Sequence, residues 1–133
     1  MNLMIIDYPN KDCDTCKNDC PIIIESDYPS LLTIPGGNVV GTSFTVSSII
    51  LNTSCLRNPC IKIDFASNVF FTDFDETIIF QVFKRYNNQS FPVGPGWPLS
   101  STISSATIFS FFVYDHDYCN TEYCTYILVA TIQ

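Results

Sequence analysis

The chain has 133 residues, which suits a single domain with its own hydrophobic core. Six Lys and Arg against thirteen Asp and Glu give a net charge of -7 and no basic run, so a nucleic-acid partner is not expected. No apolar stretch approaches the roughly 20 residues of a membrane-spanning helix, so a membrane partner is not expected either. Charged residues make up only 14% of the chain, a composition that favours association with copies of itself.

The first twenty residues differ from the rest of the chain. Residues 1–6 are mostly apolar, and Asp7 ends this run before it reaches the length of a signal-peptide core, so we expect no classical signal peptide. Residues 7–20 are polar and contain three cysteines, without apolar periodicity. We therefore predict two parts, a flexible Cys-bearing N-terminal connector at residues 1–20 and a β-sandwich domain at residues 21–133.

The remaining sequence is typical of an all-β protein, with 11 Phe, 7 Tyr and many β-branched residues. Short apolar runs separated by turn residues predict strands at residues 21–26, 30–34, 42–51, 60–66, 69–72, 77–86, 107–114 and 123–132. Alternation places Ile61, Ile63 and Phe65 on the inward face, and Ile78, Phe80 and Val82 share one face of a later strand.

Two irregular segments complete this prediction. Ser67-Asn68 suggests a bulge, and residues 87–101, rich in Pro and Gly, suggest a long loop in which Trp97 packs against the core. About eight strands in one domain of this size predict a jelly roll or a related Greek-key sandwich, with the N-terminal arm extended from it.

Seven cysteines indicate an oxidising destination. The candidate disulfide residues are Cys13, Cys16 and Cys20 in the arm and Cys55, Cys60, Cys119 and Cys124 in the core. Either core pair, each with four intervening residues, is spaced for a local bridge. An odd total leaves one thiol over, which is a free Cys in a monomer or bonds to a neighbouring subunit in an assembly. Since the arm holds three of the seven cysteines, we favour arm-to-core bridges between subunits.

Zinc is the alternative use of the arm thiols, with Cys119, Cys124 or His116 as the fourth ligand, but the spacings match no zinc ribbon or finger. We therefore predict no metal and no cofactor. His116 lies in a polar turn and has no identifiable nucleophile, and the acidic turn at Asp73, Asp75 and Glu76 lacks the spacing of a calcium loop. No catalytic residue is predicted, and we do not expect an enzyme.

Several segments resemble a family of small, uncharacterised Cys-rich proteins from anaerobic spore-forming bacteria. The segments are LNTSCLRNPCIKIDFASN at residues 51–68, IFQVFK at residues 79–84, Pro92-Val93-Gly94 with Trp97, residues 109–112, and Cys119 with Cys124-Thr125-Tyr126. Together they span residues from about 45 to 132, the size of a domain.

The layout also resembles the subunits of bacterial endospore appendages of the Ena type, which are jelly-roll fibre subunits with a Cys-bearing N-terminal connector. That resemblance implies that Cys13, Cys16 and Cys20 are connector cysteines, bonded to a preceding subunit. We expect a homopolymeric, disulfide-cross-linked extracellular fibre, a spore appendage or spore-surface filament released by mother-cell lysis. The alternative is a jelly-roll module that binds a carbohydrate or protein receptor through its loops.

Overall fold

The computed structural model describes residues 1–7, 22–52, 59–101, 104–116, 119 and 123–133, and only the backbone of residues 2–7, 22, 23 and 59. Seven strands lie from residue 22 onward and one precedes them. They are β1 (Asn2–Asp7), β2 (Ile22–Ser26), β3 (Ser43–Asn52), β4 (Pro59–Phe71), β5 (Thr77–Tyr86), β6 (Gln89–Ser100), β7 (Ser105–Asp115) and β8 (Tyr123–Ile132). The described residues contain no helix that could span a membrane.

The strands form two four-stranded antiparallel sheets that pack face to face. Sheet A has the order β2-β1-β4-β7 and sheet B the order β3-β8-β5-β6. The sheets approach each other at their borders, where β2 lies near β3 and β6 near β7. The two sheets make an antiparallel β-sandwich, so the predicted all-β fold class is confirmed.

The core lies between the sheets and follows the alternation of side chains along each strand. Ile61 and Ile63 of β4 lie in one hydrophobic cluster with Val82 of β5 and Leu128 of β8, and all four are almost completely buried. Phe65 stacks on Phe80, with ring centroids 5.9 Å apart. The predicted inward faces of β4 and β5 are therefore confirmed.

Three predictions about local structure are wrong. Residues 87–101 are not a long loop, because β6 occupies most of them and pairs with β5. The proline-rich sequence is compatible with a strand because β6 is at the edge of its sheet, where missing amide donors are tolerated. Residues 30–34 form no strand, and β4 passes through Ser67-Asn68 without a shift in its register to β7.

The turn between β5 and β6 explains how the chain enters that edge strand. Tyr86 pairs with Gln89, so the loop has two residues, and both Asn87 and Asn88 have positive φ angles. This is the geometry of a type I′ hairpin turn, which Asn tolerates better than most residues. Further along β6, Trp97 stacks on Phe111 with a centroid separation of 5.2 Å, which confirms that it packs against the core.

Candidate functional site

The outer face of sheet A carries a stripe of exposed apolar side chains, which we call the apolar stripe. Phe70 of β4 and Ile108 of β7 are 76% and 78% exposed, and Phe112 and Tyr114 continue the stripe along β7. The stripe follows from sequence, because β7 has apolar residues on both faces and only the inner set, such as Phe111 and Val113, is buried. Adjacent exposed apolar groups of this kind commonly mark an interaction surface.

Polar groups border the apolar stripe. Lys62 Nζ lies 5.1 Å from the centre of the Phe112 ring and 2.9 Å from Asp64 Oδ1. The hydrogen bond to Asp64 raises the pKa of Lys62, so the amine is charged at neutral pH. Phe112 and Tyr114 meet edge to face, with centroids 5.8 Å apart. A partner that covers this surface would therefore meet aromatic rings with one neutralised ion pair beside them.

The free edge of β7 is continuous with the apolar stripe. Residues 105–114 contain no proline, glycine or charged residue, and the pairing of β7 with β4 has no bulge. Among the described residues no strand pairs with its other side. Natural edge strands usually carry charges, prolines or bulges that prevent pairing with another chain.

The other edges of the sandwich carry such protection. β6 contains Pro92, Pro95 and Pro98, and β2 contains Glu25. The register of β3 with β8 shifts between Thr45 and Ser47. β7 is therefore the edge best suited to pair with another chain.

The cysteines fall into three groups. Cys119 and Cys124 form a disulfide, with Cα atoms 5.8 Å apart, so neither provides a thiolate for zinc. Cys60 at the start of β4 is half-buried and has a free thiol. Cys13, Cys16, Cys20 and Cys55 lie outside the described residues, and their pairing stays a prediction.

Cys60 is placed close to the predicted connector. Its partner in the ladder is Ile6 of β1, one residue before that strand ends at Asp7. β1 therefore ends beside the Cys60 backbone. The boundary at residue 20 stays a prediction, and residues 2–7 of the predicted connector are a strand of sheet A.

One buried ionic cluster lies in the core, and sequence reasoning missed it. Lys84 Nζ is 2.9 and 3.2 Å from the two carboxylate oxygens of Asp115, and the Tyr126 hydroxyl donates a 2.8 Å hydrogen bond to Asp115. Burial, with the Asp115 charge, raises the pKa of Tyr126 far above its usual value, so this hydroxyl stays protonated. The alternation along β5 could have indicated this cluster, because Lys84 continues the inward series Ile78, Phe80 and Val82.

The described residues give no other chemical site. They contain no group of three His, Cys, Asp or Glu side chains positioned to hold a metal ion. His116 is exposed, and its ring lies 6.2 Å from that of Tyr114. Asp73 and Asp75 are exposed in the turn after β4.

A family model for a domain of unknown function, DUF4489, matches residues 12–133. The chain belongs to this family. The matched range contains β2 to β8 and leaves β1 outside. Comparisons with curated proteins and with solved structures find no match.

Proposed function

We propose that the protein is a structural subunit that assembles with copies of itself into a disulfide-cross-linked extracellular fibre. The observation that carries the proposal is the unprotected edge of β7 beside the apolar stripe. An extended segment of another copy supplies the main-chain hydrogen bonds, and its side chains cover exposed rings such as Phe112. A catalytic role has no group of residues to support it among those described.

The cysteines are proposed to make the assembly permanent. Cys13, Cys16 and Cys20 supply the cross-links from the arm, and Cys60 is a suitable acceptor because its thiol is free. Each bridge forms from two thiols, whose two electrons and two protons pass to an extracellular oxidant such as molecular oxygen. Structural disulfides of this kind resist reduction by glutathione, so the polymer persists where reversible contacts fail.

The setting proposed for the fibre is the spore or cell surface, as a spore appendage or surface filament. Support comes from the resemblance in layout to endospore appendage subunits and from the cysteine content, which suits an oxidising environment. The proposed route to that surface is release by mother-cell lysis. The proposed partner is the protein itself, without nucleic acid, membrane or cofactor.

The non-covalent part of the proposal is tested by Ile108→Lys, with Val39→Lys as the matched control. Both side chains are 78% exposed, but Val39 lies outside the apolar stripe. Ile108→Lys removes an isoleucine side chain that assembly would bury at each junction. This loss is expected to raise the critical concentration for assembly by about 10- to 100-fold, corresponding to about 1.5–3 kcal/mol. Sedimentation and negative-stain microscopy measure this, and equal effects of the two variants would refute a role for the stripe.

The covalent part is tested by the triple variant Cys13→Ser, Cys16→Ser, Cys20→Ser. Wild-type polymers boiled in SDS without reductant are expected to survive, and the variant polymers are expected to dissociate. Variant polymers that survive intact would show that other groups join the subunits. A wild-type protein that stays monomeric at all concentrations would refute the fibre and favour the receptor-binding module instead.

A further inference from the structure

β1 lies in the middle of sheet A, although it is the first strand of the chain. Five of its residues pair with β2 and six with β4. Among the described strands, β1 is the one that joins β2 to its sheet. Both edges of β1 are therefore paired, and we call its position between β2 and β4 the slot.

The part of the chain that matches the family does not fill this slot. Residues 12–133 include β2 and β4, but β1 precedes them. Strands on either side of a missing strand are about 10 Å apart, because neighbouring strands are spaced by 4.7–4.9 Å. Without a strand in this position, β4 loses its pairing on the β1 side at Ile61 and Ile63, two of the most deeply buried residues among those described.

The connection from β1 to β2 is much longer than a hairpin requires. Ile6 pairs with Ile22, so these residues are directly opposite each other, and residues 7–21 separate them in sequence. A hairpin commonly closes with two residues at such a position. Fifteen residues span up to about 50 Å when extended. A folded chain of 133 residues, by comparison, is about 35 Å across.

We propose that in the assembled protein β1 of one copy occupies the slot between β2 and β4 of the next copy. The same pairs form between chains that form within one chain, so the exchange costs little in contacts. The copy that donates its strand has a vacant slot, which a third copy fills, and the series continues as an open head-to-tail polymer. The proposal rests on the fibre function and deepens it by adding a strand-exchange junction to the contact at β7.

The equilibrium between the closed monomer and the polymer depends on the free-energy contributions that only one of the two states has. Pairing within one chain has the advantage of a high effective concentration. Exchange between chains gains the additional contacts of neighbouring subunits, including the apolar stripe. High protein concentration therefore favours exchange, and a shorter connection prevents it.

The test compares the wild-type chain with two variants. In the first, Asn-Gly replaces residues 7–21, so that β1 reaches only the slot of its own chain. The second is the full-length triple serine variant of Cys13, Cys16 and Cys20, which controls for the thiols removed by the first. Each protein is refolded at high concentration and examined by sedimentation and negative-stain microscopy, with Trp97 fluorescence as the check of folding.

Strand exchange predicts polymers for the wild type and the serine variant and a folded monomer for the Asn-Gly variant. Polymers of the Asn-Gly variant would overturn strand exchange and leave the fibre proposal standing. A monomeric serine variant would also overturn it, because strand pairing needs no thiol. A wild-type protein that never polymerises would overturn the fibre function itself.

A mixing experiment covers the case in which the Asn-Gly variant does not fold. Met4→Pro removes an amide donor from the centre of β1, a strand paired on both sides that does not tolerate proline, but leaves the slot able to accept a strand. Such a chain ends a polymer. Mixed with wild type at one part in ten, it is expected to reduce the mean length to about ten subunits, and an unchanged length would contradict the exchange.

Discussion

Removal of one member of the buried Lys84–Asp115 pair is expected to destabilise the domain strongly. The two side chains are each 7% exposed, and the amine contacts both carboxylate oxygens. Lys84→Met leaves the Asp115 carboxylate buried without its cation, which costs about 3–5 kcal/mol. Lys84→Met with Asp115→Leu removes both charges and is expected to cost much less than the sum of the single changes.

Urea unfolding followed by the fluorescence of Trp97 measures this effect, since its ring stacks on Phe111 in the core. With a urea dependence of about 2 kcal/mol per molar, the single variant should unfold at a urea concentration lower by about 1.5–2.5 M. A shift smaller than about 0.5 M for Lys84→Met, or strictly additive effects in the double variant, would refute the reasoning that charge burial dominates here.

Four further variants test other parts of the structure. Ile63→Ala should cost about 2–5 kcal/mol in urea unfolding, whereas exposed Ile108→Ala should change the free energy of unfolding by less than about 0.5 kcal/mol; similar losses would mean that the faces of sheet A are reversed. Gly94→Ala should cost about 1–3 kcal/mol, because φ is +69° there and a Cβ atom would overlap Val113; an unchanged unfolding midpoint would show that β6 can shift. The Ser47 hydroxyl donates a hydrogen bond to Asp27 and lowers the pKa of that carboxyl. The contribution of Asp27 to stability is therefore present above the unfolded pKa of about 3.9 and is lost as pH falls through the lower folded pKa. Asp27→Asn should therefore unfold with a weaker pH dependence between about pH 4 and 2, and identical acid titrations of the two proteins would contradict this.

Strands that bury one face could be predicted from sequence because alternation alone defines them. β4 illustrates this, with Ile61, Ile63 and Phe65 inward and Lys62 and Asp64 half-exposed. β6 could not, because its three prolines are typical of loops and its position at a sheet edge is a tertiary property. The position of β1 in sheet A could not be predicted either, since a short, mostly apolar run does not indicate which strands flank it.

The candidate site was only partly predictable for similar reasons. The cysteine content and the low charge are properties of composition, and they led to the hypothesis of assembly. The apolar stripe is different, because Ile108 and Phe112 alternate with equally apolar residues on β7. Only packing of the opposite face against the core decides which set is exposed.

The order of the strands also has a consequence for synthesis on the ribosome. β8, the last of the eight strands, lies between β3 and β5, and its residues Tyr126, Leu128, Ala130 and Ile132 are completely buried. Sheet B therefore cannot close until residue 132 has left the exit tunnel, and β1 waits for β4 to emerge. At about 5–20 residues per second, the nascent chain spends several seconds with unpaired strands. Closure of sheet B thus follows the emergence of β8, and the interval before it is when neighbouring chains can pair.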